Sequence, residues 1–295
     1  MAKKLRSPIR WFGGKGNLVP KLLEYIPQHT YYCEVFGGGA SLLFAKRPTR
    51  FEVYNDVDSG LVTLFRVLRN SKKFKLFYKK VCLTPYSREE YYYCKETWKC
   101  CEDEIEKAYR FYVVTRMSFS GDLQGGWKYN LSNMSKNMSA AVSKWLSTIE
   151  MLPRIHQRIM SVQVEHLDWQ TCVEKYNEWE KDGFFYCDPP YLLETRRGGK
   201  YECEMTYEDH EKLVDWLLTK CKVNVMLSGY NNKLYEKLET NGWQKVCWDV
   251  GCHAVGKTRQ TGILGTGSTY TKNQRRKECI WMNYHIPQHL FELEG

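Results

Sequence analysis

The chain has 295 residues, of which 43% are hydrophobic and 26% charged, and its formal net charge is +10. A chain of that length buries roughly three quarters of its unfolded surface, so no disulfide or metal staple is required, and one large domain or one plus an insertion is expected. No apolar run nears the roughly 20 residues that cross a bilayer, and the basic N-terminus has no apolar core behind it, so neither a membrane span nor a secretory leader is expected.

The positive charge is unevenly placed. Residues 1–21 carry six basic side chains and no acid, and residues 251–277 again carry six and none. Two such segments far apart in sequence suit two rims of one polyanion groove; solvated tails and loops are the alternative. The twelve cysteines contain no CxxC pair, and Cys94 with Cys100 and Cys101 lacks a matching second half, so no metal site is expected. A reducing, cytoplasmic setting fits better than a disulfide framework.

In chain order, residues 16–26 read as a short helix, with Asn17 as its cap and Pro20 tolerated in the first turn. YYCEVF (31–36) reads as a strand, broken by Gly37-Gly38-Gly39, and ASLLFAK follows as a helix. RFEVYND (50–56) is a second strand and SGLVTLFRVLRN a second helix, an alternation that predicts a parallel sheet covered on both faces. The ligand crevice then lies at the carboxyl ends of those strands. From about Ser71 to Ser147 helical periodicity dominates and ends in SFSGDLQGGWKYNLSNMSKNMS, rich in Gly, Ser and Asn. This predicts a helical insertion over 71–147 that carries an exposed loop, set between two parts of one domain at 1–70 and 148–295. The alternation resumes with MSVQVEHLDW (160–169), a helix around CVEKYNEW, the strand GFFYC, and the helix TYEDHEKLVDWLLTK with Thr206 and Asp209 as its capping box. KVNVMLSGY, WQKVCWDV and KECIWMNY complete the sheet, the last two as a long hairpin.

Two stretches carry chemistry. EVFGGGAS sets glycines between a strand and a helix, where a ligand can approach backbone N–H groups closely. Leu42 stands where a dinucleotide fingerprint needs its third glycine, and no phosphate-loop pattern occurs, so the turn suits a nucleoside-like ligand. Asp56 ends the next strand, where an acid commonly accepts hydrogen bonds from ribose hydroxyls; capping the following helix is its other reading. The second stretch is FFYCDPPY. Pro189 and Pro190 remove two donors, so Asp188 and the carbonyls beside it only accept hydrogen bonds, while Tyr191 adds a flat ring. Such a corner holds a planar amino group and, by accepting both its hydrogens, frees the nitrogen lone pair for attack.

RWFGGKGNLVPKLLEYIP, CEVFGGGAS, VYNDVD, TRMSFSG and FFYCDPPY, in this order, resemble the motifs of the Dam-type DNA adenine-N6 methyltransferases, the alpha group of amino-methyltransferases. The resemblance implies an α/β, Rossmann-like methyltransferase fold with a mixed seven-stranded sheet, its last strand antiparallel, and an inserted helical target-recognition domain. It implies S-adenosyl-L-methionine as donor and an adenine flipped from double-stranded DNA as acceptor, in a cytoplasmic monomer or weak dimer without metal. Carried over by position, Asp188, Pro189, Pro190 and Tyr191 are catalytic. Trp11, Lys15, Glu34, Phe36, Gly37, Gly39, Asp56, Asp168 and Asp188 fall to the donor site, with Lys15 suited to the methionine carboxylate and Asp56 to the ribose; Asp168 also sits where an adenine contact is expected.

Within the insertion, the resemblance places Arg116, Ser118, Phe119, Ser120, Trp127 and Lys128 on DNA, with Phe119 or Ser120 at the gap left by the base. A helix-end salt bridge for Arg116 and a packed core position for Phe119 are the alternatives. Arg196, Arg197, Lys257 and Arg259 extend the set through the later basic segments. ETRRGGKYECEMTYEDH and ECIWMNY are similar to a subgroup often encoded by phages and prophages, in free-standing or restriction-modification settings. Four rival readings stay open: cytosine N4 as acceptor, RNA as substrate, a silent DNA-binding regulator on the same fold, and a nicotinamide dehydrogenase.

Overall fold

The computed structural model describes residues 5–130, 132–195, 202–251 and 275–286. In the strand Gly183–Cys187, Phe184 and Tyr186 join one hydrophobic cluster while Phe185 and Cys187 join another, and all four are buried. Successive side chains of a strand point to opposite faces, so a strand this apolar belongs in the middle of a sheet covered on both sides.

The first half of the chain runs α1 (Val19–Glu24), β1 (Tyr31–Glu34), α2 (Ser41–Ala45), β2 (Phe51–Asn55), α3 (Ser59–Arg69), α4 (Ser71–Cys82), α5 (Arg88–Thr97) and α6 (Glu104–Met117). A small hairpin, β3 (Met134–Ser135) and β4 (Met138–Ser139), leads into α7 (Ala140–Ile159). Then come β5 (Val162–Glu165), α8 (Trp169–Tyr176), β6 (Gly183–Cys187), α9 (Tyr207–Thr219), β7 (Asn224–Tyr230), α10 (Glu236–Thr240), β8 (Gln244–Gly251) and β9 (Arg275–Met282).

Seven strands form one sheet in the order β5-β2-β1-β6-β7-β9-β8. β5, β2, β1, β6 and β7 are parallel, and β9 is antiparallel to both β7 and β8. This is the mixed, Rossmann-like seven-stranded sheet that the resemblance implies. One face buries Tyr32, Tyr54, Tyr186, Met226 and Ile280 against α3, α4, α5, α6 and α7 as a single cluster; the other buries Cys33, Val53, Phe185 and Trp281 against α8, α9 and α10. Gly60 lets α3 approach α6, since a Cβ there would lie 2.5 Å from the Phe111 ring.

Several details differ from the expectation. α1 starts at Val19 rather than Gly16, because Lys15 to Leu18 form a turn in which the Lys15 carbonyl accepts from the Leu18 and Val19 amides, and no side chain caps the helix. α7 continues through residue 147 to Ile159, and α10 is a five-residue helix that the sequence does not signal. Cys247 and Cys279 are joined by a disulfide, against the expectation that no disulfide framework forms. They are direct partners in the β8–β9 register, a proximity 32 residues apart in sequence that appears only once the strands pair. The predicted capping box, Thr206 with Asp209, opens α9.

Candidate active site

β6 ends at Cys187, and the chain turns at Asp188-Pro189-Pro190 above the carboxyl edge of the sheet. The Asp188 side chain is 17% exposed, and the Lys15 ammonium stands 2.8 Å from its Oδ1. The contact is a close ion pair that holds the buried Oδ1 against the ammonium. Burial pushes the Asp188 carboxyl up from its ordinary range while Lys15 pulls it back. The same ammonium lies 3.3 Å from Glu278 Oε1 and 4.5 Å above the centre of the Tyr191 ring. Tyr191 packs edge-on against Tyr230, ring centres 4.8 Å apart, and its hydroxyl donates to Glu278 Oε1. Behind the corner, the fully buried His210 sets Nε2 at 2.9 Å from the Pro190 carbonyl and Nδ1 at 2.8 Å from the Tyr235 hydroxyl. The carbonyl can only accept, so Nε2 donates, and the imidazole ties the corner to α9 and the segment before α10.

The glycine turn is held from below. Gly37 N donates to the Asn55 carbonyl at 2.8 Å, Tyr54 Oη donates to the Gly38 carbonyl at 2.9 Å, and Asp56 Oδ2 accepts from Gly38 N at 2.7 Å. Gly38 has φ of +47°, in the left-handed region that glycine occupies at no steric cost, and a Cβ there would lie 2.9 Å from the Trp11 indole. Asn55 joins three strand-end loops: its amide donates to the Val35 and Leu167 carbonyls, and its oxygen accepts from Leu167 N. Asp58, not Asp56, caps α3, accepting from Gly60 N and Leu61 N, which leaves Asp56 turned to the loop. Burial pushes the Asp56 carboxyl up to about 6.

All nine residues assigned to the donor line one cavity of about 340 Å³, and Pro190 joins them. Asp168 is an exposed member that also caps α8, accepting from Thr171 N and Oγ1. Sequence reasoning missed Asn55, Glu202 to Met205 and Asp209, which also line the cavity, and it missed His210 and Glu278 beside the corner. The one available signal for Glu278 was an acid between the basic start of the final strand and its apolar end.

Glu34, at the end of β1, accepts on Oε1 from Tyr32 Oη at 2.8 Å and Leu43 N at 2.6 Å, while Oε2 is buried without a partner. Burial pushes its carboxyl from 4.5 up to about 8. A carboxyl whose folded pKa is raised stabilises the fold fully below its unfolded pKa and loses that contribution as pH rises through the folded value. Stability is therefore expected to fall between about 4.5 and about 8 on account of this group. Glu34→Gln keeps the Oε1 acceptor and removes the ionisation, so its advantage over the parent in denaturant melts should grow by on the order of 5 kcal/mol from acid to alkaline pH. A constant difference would show that Glu34 does not titrate in this window.

The DNA-assigned residues cluster at the end of α6 and the loop after it. Arg116 is half-buried and donates to Thr148 Oγ1, while its Nε is buried without a hydrogen-bond partner; its hydrogen-bond partner is thus a hydroxyl of α7, not a carboxylate. Ser118 is buried and bridges Trp127 through the backbone. Phe119 is 51% exposed and is not a core residue, and Ser120 beside it is held at φ of +61°. Trp127 stacks on Tyr129, and the Arg88 guanidinium lies over both rings. Burial pushes the Lys128 ammonium down to about 8, with Arg10, Lys144 and Arg116 adding repulsion. Arg196, Arg197, Lys257 and Arg259 lie outside the described residues.

The family of D12 class N6 adenine-specific DNA methyltransferases matches the chain over residues 11–249. This chain belongs to that family. The match spans the first glycine motif, helices α3 to α7 and the Asp188 corner, so the enzyme is a DNA adenine-N6 methyltransferase and DNA is its substrate. Its relatives include a type II methyltransferase, M1.LlaDCHI, of Lactococcus lactis subsp. cremoris, 26% identical over 88% of this chain and 90% of that protein. A DNA adenine methylase of Salmonella typhi is 21% identical over 92% of this chain and 93% of its own length. The type II methyltransferase M.CviBI of Paramecium bursaria Chlorella virus NC1A is 26% identical over 79% and 87%. Among the described residues of the methyltransferase, no group of three or more His, Cys, Asp or Glu could hold a metal, and no helix is long and apolar enough to cross a membrane.

Proposed function

We propose that the methyl donor is S-adenosylmethionine (SAM), held in the cavity at the carboxyl edge of the sheet, and that the acceptor is an adenine turned out of double-stranded DNA. The observation that supports this best is the cavity itself: it runs from Asp56 and the glycine turn to the Asp188 carboxyl, which Lys15 holds at the end of β6. The donor chemistry fits that lining. Asp56 would accept from ribose hydroxyls, the turn with Gly37 and Gly39 lines the cavity beside it, and Trp11 and Phe36 offer flat apolar surface. Glu34 and Asp168 complete the wall, and Lys15 would meet the donor's carboxylate. SAM supplies a methyl group made electrophilic by its sulfonium.

Asp188 and the Pro189 carbonyl accept the two N6 hydrogens and draw the nitrogen toward tetrahedral geometry. Pro190 keeps the turn rigid, and the Tyr191 ring, on the face now under Lys15, stacks on the purine. Holding the reactants in near-attack geometry contributes about 7 to 11 kcal/mol. Extruding the base costs a few kcal/mol, offset by stacking and phosphate contacts. The insertion over 71–147 recognises the target through Arg116, Ser118, Phe119, Ser120, Trp127 and Lys128, and Arg196, Arg197, Lys257 and Arg259 extend the basic surface. The enzyme acts in the cytoplasm as a monomer or weak dimer.

SAM should raise the melting temperature where NAD does not, and nucleoside analysis of treated DNA should yield N6-methyladenine. Protection by NAD alone, or N4-methylcytosine as product, would overturn the reading.

DNA contact by Lys128 has a pH signature. Its folded ammonium is half neutral near pH 8, and a phosphate favours the charged form, so affinity for duplex DNA should fall as pH rises through that value. Lys128→Ala should remove this dependence and make the log–log salt slope about one unit shallower. An unchanged slope would place Lys128 away from the phosphates.

A further inference from the structure

Lys15 is shared by two buried carboxylates. Its ammonium stands 2.8 Å from Asp188 and 3.3 Å from Glu278, and Glu278 also raises the Asp188 carboxyl by direct repulsion. Glu278 comes from β9, where it is the register partner of Tyr230, and its Oε1 takes both the Tyr191 hydroxyl and the ammonium. One ammonium thus stands between two carboxyl groups. Were Glu278 absent, the lysine would neutralise Asp188 outright.

We propose that Glu278 is a positioning residue for the methyl-transfer step: it takes a share of the Lys15 ammonium, so that Asp188 is only partly compensated and keeps negative charge facing the reacting nitrogen. The proposal rests on Asp188 being the N6 acceptor. In the transfer, the N6 lone pair forms the new N–C bond and the electrons of the breaking C–S bond stay on sulfur. The positive charge thus passes from sulfur to nitrogen, and one N6 proton then leaves to water. Charge that develops beside a fixed anion in a buried site is stabilised more strongly than in water. The glutamate also gives the ammonium a partner when the purine takes Asp188 Oδ1.

The test compares two ligands that differ in charge at the transfer point: sinefungin, with an ammonium there, and S-adenosylhomocysteine, with a neutral thioether. Their dissociation constants are measured for the parent, Glu278→Gln, Lys15→Met and the double variant. Glu278→Gln preserves an acceptor for the Tyr191 hydroxyl. It should lower the preference for sinefungin by about tenfold, within the range that neighbouring charges reach in double-mutant cycles, and lower the single-turnover methylation rate in parallel. Adding Lys15→Met restores the bare Asp188 charge, so the double variant should regain most of that preference. A merely structural role moves both ligands together and shows no restoration; either result, or a ratio that Glu278→Gln leaves unchanged, overturns the proposal. Should Glu278→Gln lose its fold, Glu278→Leu removes the same charge and carries the same expectations. A parent protein that binds neither ligand rejects the donor assignment, and this proposal with it; sound binding with an unchanged ratio rejects the glutamate's role alone.

Discussion

Replacing Asp188 with alanine is expected to lower the single-turnover rate of methyl transfer by about a thousandfold while leaving duplex DNA binding measurable, the scale seen when one preorganised polar group at a reacting centre is removed. The reason lies in what else the corner can supply. Pro189 and Pro190 lack N–H groups, so with the carboxylate gone only backbone carbonyls remain to accept from N6, and one of those, Pro190, already takes His210. A lone carbonyl can hold one amino hydrogen, but it cannot hold both or balance the charge that arrives on the nitrogen. The fold should tolerate the change, because Lys15 keeps Glu278 at 3.3 Å as a counter-ion and is not left as a bare buried cation. Asp188→Asn should fall between the two: its amide oxygen still accepts, but it brings no charge, and its NH₂ group meets Lys15. Filter binding and rapid-quench methylation with radiolabelled donor separate the two quantities. Undiminished transfer by Asp188→Ala would remove this residue from the chemistry.

Where function constrains short contiguous segments, the sequence was readable. Asp188 to Tyr191 and the glycine turn are each one turn long, so residue type and order already state which groups can donate and which only accept. The strand–helix alternation was equally plain, since strands buried on both faces, such as Gly183–Cys187, are apolar without interruption. Contacts that need the sheet to assemble were not. Glu278 reaches Tyr191 and Lys15 only because β9 inserts between β7 and β8, and no local pattern reports that order. His210 reads as one polar position on an amphipathic helix, yet α9 turns it inward onto Pro190. The Cys247–Cys279 bond follows from a cross-strand register with the same origin. The start of α1 was misjudged for a local reason: Asn17 resembles a cap, but backbone bonds from Leu18 and Val19 to Lys15 close the turn first. The exposure of Phe119 could not be read either, since a loop aromatic is equally compatible with packing and with contact to a partner.

Gly37→Ala is the second large effect, and it isolates the donor loop. A Cβ at Gly37 would lie 2.2 Å from Cε2 of Tyr54 and 2.6 Å from its Cδ2. The ring has nowhere to go: it is fully buried, its centre is 4.4 Å from that of Phe65, and its hydroxyl is tied to the Gly38 carbonyl. The loop must therefore lift, losing the Tyr54 bond and dragging Gly38 N from Asp56. Overpacking of this kind costs about 1 to 3 kcal/mol, and a displaced binding loop about a hundredfold in the function it positions. SAM affinity should fall on that scale, with the melting temperature lowered by several degrees. Gly37 is not in the left-handed region, so the demand for glycine comes from the ring and not from the backbone. The double variant Gly37→Ala with Tyr54→Leu should then recover part of the lost SAM affinity, despite the cavity that Tyr54→Leu leaves by itself. If the second change only adds to the damage, the close approach of ring and loop is not what requires glycine at this position.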